Sequence, residues 1–185
     1  MTEFFLALVA VAVTSFGARD QRLVADLAER LGQGGGLLLV AMLSAAVTAA
    51  FMAYAGSLVG VLLPPAAKNM LVAFALFAAA VELAWFRAAK HVREPTRSLG
   101  ATGIVLAAMQ VGDGPRFLVF AIAAAFASPT LAAMGGFAGG AVGVTVGWAM
   151  AGDLEALPLK IIRRFGAVAI ALFAIGVGLN ARGIL

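Results

Sequence analysis

The sequence predicts an all-α integral membrane protein with six transmembrane helices. It is 63% hydrophobic and 12% charged, with a mean hydropathy of +1.05, whereas about 25% of the residues in an ordinary soluble domain are charged. The uncharged stretches 31–67 and 117–152 each exceed the about 20 residues that a helix needs to cross a bilayer. A short polar motif also interrupts the apolar pattern once in each half of the chain, which indicates an internal repeat.

The first half reads as three helices. The first begins at Phe4, bends at Gly17 and continues as an amphipathic segment to Gly32, where the apolar residues follow helical spacing: Leu23, Val24, Leu27 and Leu31. The second spans about residues 37–63 and ends at Pro64-Pro65, since proline cannot continue an α-helix. The third spans about residues 69–86 and contains one acid, Glu82, which we expect either to bind a proton in a cavity or to reach the cytoplasmic edge.

The second half repeats this plan after the basic linker 87–97. The fourth helix begins at about residue 99 and is interrupted at 112–115, the fifth spans about 129–152 and the sixth about 161–180. We therefore expect two three-helix repeats, 1–92 and 93–185, which together form one membrane domain.

A shift of 95 residues aligns the two halves. It places Gly17 on Gly112 and Leu23 on Leu118, and the motif, the proline turn and the number of helices recur in the same order. Because each unit has an odd number of helices, the second unit must lie inverted in the membrane. Many secondary transporters have this plan, and their sites form where interrupted helices of the two halves meet.

The two motifs supply the candidate site residues. An acid in hydrocarbon costs several kcal/mol unless it is paired or faces a polar cavity, which makes an intramembrane Asp a functional candidate. The candidates for binding an ion or solute are Ser15, Gly17, Arg19, Asp20 and Gln21 in the first motif, and Gln110, Gly112, Asp113 and Arg116 in the second.

This pattern resembles the transmembrane protein 165 family of small manganese/calcium:proton exchangers. The signature of that family is Glu-x-Gly-Asp-Lys/Arg-Thr/Ser, once per repeat and often followed by Gln. The first motif keeps Gly17, Arg19 and Gln21 but lacks both acids, and the second keeps Gly112 and Asp113 but lacks the Glu, the basic residue and the hydroxyl. The resemblance implies exchange of Mn²⁺ or Ca²⁺ for protons at a site between the two motifs.

The altered motifs leave several interpretations open. Divalent cations of this kind prefer hard oxygen ligands, which Asp113, Gln110 and Ser15 could still provide. Alternatively, the charges pair across the repeats, Arg19 with Asp113 and Asp20 with Arg116, and the site is neutral. The guanidinium of Arg19 or Arg116 would also suit an anionic or amino-acid solute, and a non-transporting membrane scaffold is a further alternative.

Composition limits the other classes. The net charge of +4 comes from basic residues at helix ends, so we expect a lipid bilayer and a small ion or solute as partners, and no nucleic acid. Without Cys, and with a single His in the linker, the sequence shows no catalytic set or cofactor site, and we expect no enzyme. The ladders Gly136-Gly140 and Gly139-Gly143-Gly147 predict close helix packing and would allow a homodimer.

Basic residues also predict the orientation. Ten Lys and Arg follow the first, third and fifth helices, whereas only Lys68 and Arg182 lie on the other side. By the positive-inside rule the ten face the cytoplasm. Both termini are then non-cytoplasmic, and we expect the chain in a plasma membrane, such as a bacterial inner membrane.

Overall fold

The apolar segments are helical in a computed structural model, which describes residues 1–85 and 98–182 apart from the side chain of Glu155. Its helices are α1 (Thr2–Thr14), α2 (Arg19–Leu31), α3 (Gly35–Leu62), α4 (Pro65–Ala84), α5 (Leu99–Val111), α6 (Gly114–Phe126), α7 (Pro129–Met150) and α8 (Leu159–Ala181), with a 3₁₀ helix (Ala151–Ala156) between the last two. The all-α prediction is confirmed for these residues.

Among the described helices, four are long and apolar enough to cross a membrane by themselves: α3, α4, α7 and α8. The pairs α1–α2 and α5–α6 meet the same criteria when each is counted as one span bent at its break, by 58° and 60° respectively. The chain is thus an all-helical membrane protein with four to six candidate spans.

One predicted boundary is wrong. We expected Pro64-Pro65 to be followed by a turn and the next helix to begin near Asn69, but α4 begins at Pro65 itself. Proline is favoured in the first turn of a helix because its missing N–H would have no intrahelical acceptor there. The predicted helix end at Phe86 and the linker 87–97 lie outside the described residues.

Helix α6 is the centre of the bundle, because it packs against α1, α3, α4 and α7. Its fully buried Val119 and Ala123 join Val11 of α1 in one apolar cluster. The outer surface carries large exposed apolar side chains, among them Phe51, Tyr54, Phe74, Phe165 and Phe173. This distribution is compatible with contact to lipid. The break before α6 lies inside the bundle, because Asp113 and Gly114 are buried, and it meets the break after α1 through the contact of Asp113 with Arg19.

The glycines of α7 pack against helices of the same chain. A Cβ at Gly139 would lie 2.6 Å from the carbonyl oxygen of Leu8, and one at Gly136 would contact Val119. Small residues at these positions let the helix backbones approach closely, as the ladder predicts. The ladder thus packs α7 onto α1 and α6.

Candidate functional site

The two interrupted helices meet at their breaks through one ion pair. Arg19, the first residue of α2, donates from Nε to Asp113 Oδ1 at 2.7 Å and from Nη2 to the carbonyl oxygen of Gly112 at 2.9 Å. Asp113 is 2% exposed, whereas 35% of the Arg19 side chain is exposed. The predicted pairing of Arg19 with Asp113 is therefore confirmed.

The second predicted pair, Asp20 with Arg116, is wrong as a direct contact. Gln110 Nε2 donates to Asp20 Oδ2 at 2.9 Å, Thr48 Oγ1 donates to Gln110 Oε1 at 3.0 Å, and Arg116 Nε donates to Thr48 Oγ1 at 2.9 Å. A neutral amide and a hydroxyl thus separate the two charges. The amide fits this position because it donates to the acid and accepts from the hydroxyl at the same time.

Arg116 is deeply buried, with 1% of the residue exposed. A Cβ at Gly140 would lie 3.1 Å from its Nη1 and Nη2 atoms. This ladder position of α7 therefore makes room for the guanidinium, and a larger residue would press against it.

Two charged residues outside the motifs complete the network. Glu82 of α4 accepts from Arg163 Nη2 at 3.1 Å and from the backbone N–H of Gly114 at 3.0 Å, and its Oε1 lies 3.7 Å from Arg19 Nε. Its side chain is 14% exposed. The acid thus caps the first turn of α6, where negative charge is stabilising.

Arg163 and Thr48 are network residues that the sequence did not predict. Our count of basic residues by side includes Arg163 as a loop residue, but it lies in the second turn of α8 and is 2% exposed. The intramembrane acid Glu82 was the available signal, since a buried carboxylate requires a cation. For Thr48 the signal was its spacing of four residues from Ser44, which puts two hydroxyls on one face of an apolar helix.

Uncharged groups hold Gly17 at the first break. Gly17 has φ +70°, a conformation that side chains rarely adopt, and its N–H donates to Gln21 Oε1 at 2.7 Å. Gln21 Nε2 in turn donates to the carbonyl oxygen of Gly143 at 3.0 Å. Ser15 packs against the same glycine, since a Cβ at Gly143 would lie 2.6 Å from Ser15 Cβ.

A cavity of about 140 Å³ adjoins the ion pairs, lined by Arg19, Arg22, Glu82 and Trp85. Asp113 is bonded to Arg19, and its buried Oδ2 atom has no hydrogen-bond partner among residues 1–85 and 98–182. The acceptor atoms of the network are otherwise largely used by guanidinium and amide groups.

The predicted metal ligands occupy different parts of this network. Asp113 pairs with Arg19, Gln110 joins Asp20 to Thr48, and Ser15 packs on α7. In residues 1–85 and 98–182 there is no group of three or more His, Cys, Asp or Glu side chains that could hold a metal ion. A cation at Asp113 would therefore depend on carbonyl oxygens such as that of Gly112.

Comparisons with known proteins identify no family for this chain. No family model, curated protein or solved structure matches the chain. The resemblance to the transmembrane protein 165 family thus stays a prediction from the two motifs, and the function must be argued from the site.

Proposed function

We propose that the chain is a secondary transporter whose solute binds where the two broken helices meet. The contact of Arg19 with Asp113 and Gly112 carries this proposal, because it joins the start of α2 to the end of α5. Charged residues and open backbone at membrane depth are costly unless they face one another or a polar cavity. Transporters place such interrupted helices at their solute sites.

The proposed architecture is an inverted repeat of two three-span halves. Each half contains a bent pair followed by two long helices, and the bends are similar, 58° and 60°. Equivalent helices pack against each other, α3 on α7 and α4 on α8, as expected for helices close to a twofold axis. Alternating access would then be a rocking of one half against the other around the two breaks.

The first candidate solute is a divalent cation, Mn²⁺ or Ca²⁺, exchanged for protons. The unpartnered Oδ2 of Asp113 and the nearby Gly112 carbonyl are hard oxygen ligands. In this mechanism Asp113 binds the cation in one direction of the cycle and a proton in the other. The resemblance of the motifs points to the same exchange.

The second candidate solute is a small carboxylate, for which the cavity gives a specific reason. Both Arg19 and Arg22 line it, and guanidinium groups bind carboxylates through two parallel hydrogen bonds. Trp85 on the same wall would pack against an apolar part of the solute.

Flux through reconstituted vesicles distinguishes the candidates. For cation exchange, an inward Mn²⁺ gradient should drive proton release, and Asp113→Asn should abolish both fluxes. The control Glu3→Gln, which removes an acid that pairs with the N-terminal amine, should abolish neither. For carboxylate transport, uptake of labelled acetate or succinate should occur and Arg19→Gln should abolish it. Absence of both fluxes in folded protein would contradict the proposal and favour a membrane scaffold.

The orientation proposed from the basic residues can be tested separately. Cysteines introduced at Thr2 and at Gly34, which lies between α2 and α3, suit an impermeant thiol reagent because the chain has no other Cys. In intact cells we expect labelling at position 2 and none at 34. The reverse pattern would show that the N-terminus is cytoplasmic.

A further inference from the structure

The guanidinium of Arg19 lies among oxygen atoms of the kind that bind metal cations. Its Nε is 2.7 Å from Asp113 Oδ1 and 3.7 Å from Glu82 Oε1, and its Nη2 is 2.9 Å from the carbonyl oxygen of Gly112. Carboxylate and backbone carbonyl oxygens are the ligands that suit Ca²⁺ or Mn²⁺. Here the positive charge among them belongs to a side chain.

Asp113 has the capacity for a further ligand. In the described part of the chain its Oδ2 atom has no hydrogen-bond partner, although the residue is only 2% exposed. Buried carboxylate oxygens are normally satisfied. An unsatisfied carboxylate oxygen in the residue that follows Gly112 at a helix break therefore indicates an oxygen that is available to a cation.

The guanidinium of Arg19 also has an alternative position, next to Glu82. Its side chain is 35% exposed and lines the cavity of about 140 Å³ together with Glu82. A small rotation of the guanidinium would shorten the 3.7 Å contact with Glu82 and release Asp113. A cation that then bound to Asp113 would replace the lost positive charge, so that the buried acid would remain neutralised.

We propose that Arg19 is a tethered competitor for a cation-binding site formed by Asp113 and the Gly112 carbonyl, and that Glu82 accepts Arg19 when a cation binds. The inference rests on the site named in the proposed function but not on transport. It makes the occupancy of the site a competition between a side chain and a free ion.

Direct binding measurements on the purified, detergent-solubilised protein test this competition. Titration with Mn²⁺ and with Ca²⁺, followed calorimetrically, should show that Arg19→Gln binds roughly 10- to 100-fold more tightly than wild type, since the charged hydrogen bonds of Arg19 no longer compete. Adding Asp113→Asn should remove the gain. Arg30→Gln is the matched control, because Arg30 lies on the same helix and pairs with Asp26, and it should bind like wild type.

A second readout separates competition from a general structural effect. Methylguanidinium at low millimolar concentration should weaken Mn²⁺ binding to Arg19→Gln by restoring the missing group, and should leave wild type unchanged. If Arg19→Gln does not fold, Arg19→Lys keeps a positive charge with fewer donors and should show an intermediate gain in affinity.

The outcomes are distinct from those for transport. Equal Mn²⁺ affinity in wild type and in the Arg19 variants would contradict the proposal that Arg19 competes with the cation, whether or not vesicles show cation flux. A higher Mn²⁺ affinity of Arg19→Gln that persists when Asp113→Asn is added would also contradict this proposal. Binding by Arg19→Gln but not by wild type would support the competitor and contradict cation exchange by the native chain.

Discussion

The two helix breaks are similar in bend but differ in what holds them. At the first break the Gly17 N–H is bound by Gln21, a neighbour in sequence, and Gln21 is bound by a backbone carbonyl of α7. At the second break both ends are bound by charged side chains from other helices: Arg19 on the Gly112 carbonyl and Glu82 on the Gly114 N–H. Neutral amide contacts thus hold Gly17 at the first break, whereas charged side chains from other helices hold both sides of the second.

This difference bears on which break can change its contacts. An amide that bonds to backbone on both sides can move only with the backbone. A guanidinium between two carboxylates can exchange partners by a side-chain rotation, and its environment changes whenever a proton or ion arrives. We therefore expect binding to alter the contacts of Arg19 with the second break, while the contacts of Gln21 that hold Gly17 stay fixed.

The largest effect should come from Glu82→Ala, which removes the acid from the second break. It leaves Arg163, 2% exposed, without its carboxylate and uncaps Gly114. Breaking a buried pair typically costs about 3–5 kcal/mol, and we expect that loss in the unfolding free energy measured in detergent. Glu3→Ala should cost far less, and equal losses would mean that Glu82 does not stabilise the break.

Thr48→Val should have the next largest effect, because it disconnects Arg116 from Gln110. The substitution keeps the side-chain shape but leaves two buried groups without a partner, each costing about 1–3 kcal/mol. Thr102→Val is the matched control, since the Thr102 hydroxyl donates to the Ser98 carbonyl in the preceding turn of its own helix. If both valine variants lose the same amount of unfolding free energy, Thr48 does not link Arg116 to Gln110.

Gly143→Ala tests the neutral break by crowding Ser15. The added Cβ would lie 2.6 Å from Ser15 Cβ, and overpacking of this kind costs about 1–3 kcal/mol. We expect a lower melting temperature, whereas Gly176→Ala, whose Cβ would meet nothing within 4 Å, should be nearly neutral. A stable Gly143→Ala protein would show that α7 does not fix this break.

Much of the fold follows from local patterns. The interruptions at Gly17 and at Gly112-Asp113 are visible in the sequence because glycine, proline and charged residues disrupt apolar helices, and the structure bends at both. The start of α4 at Pro65 was missed because proline can either end a helix or begin one, and periodicity does not distinguish these roles.

The site was only partly predictable for a different reason. The contact of Arg19 with Asp113 could be inferred because each charge needs a partner and the motifs recur. The roles of Thr48 and Arg163 depend on which helix faces the breaks, a property of tertiary packing. The prediction of a direct contact between Asp20 and Arg116 was wrong, because charge alone does not reveal that Gln110 and Thr48 lie between them.

The central claim, that Arg19 joins the two breaks, is tested most directly by a double-mutant cycle between Arg19→Gln and Asp113→Asn. Because 35% of the Arg19 side chain is exposed, solvent screening reduces the value of the pair, and Arg19 keeps Glu82 as an alternative. We expect a coupling of about 1 kcal/mol in the unfolding free energy, within the range typical of contacting residues. The double variant should then be more stable than the sum of the single losses predicts, whereas strictly additive losses would contradict the claim that this ion pair joins the two broken helices.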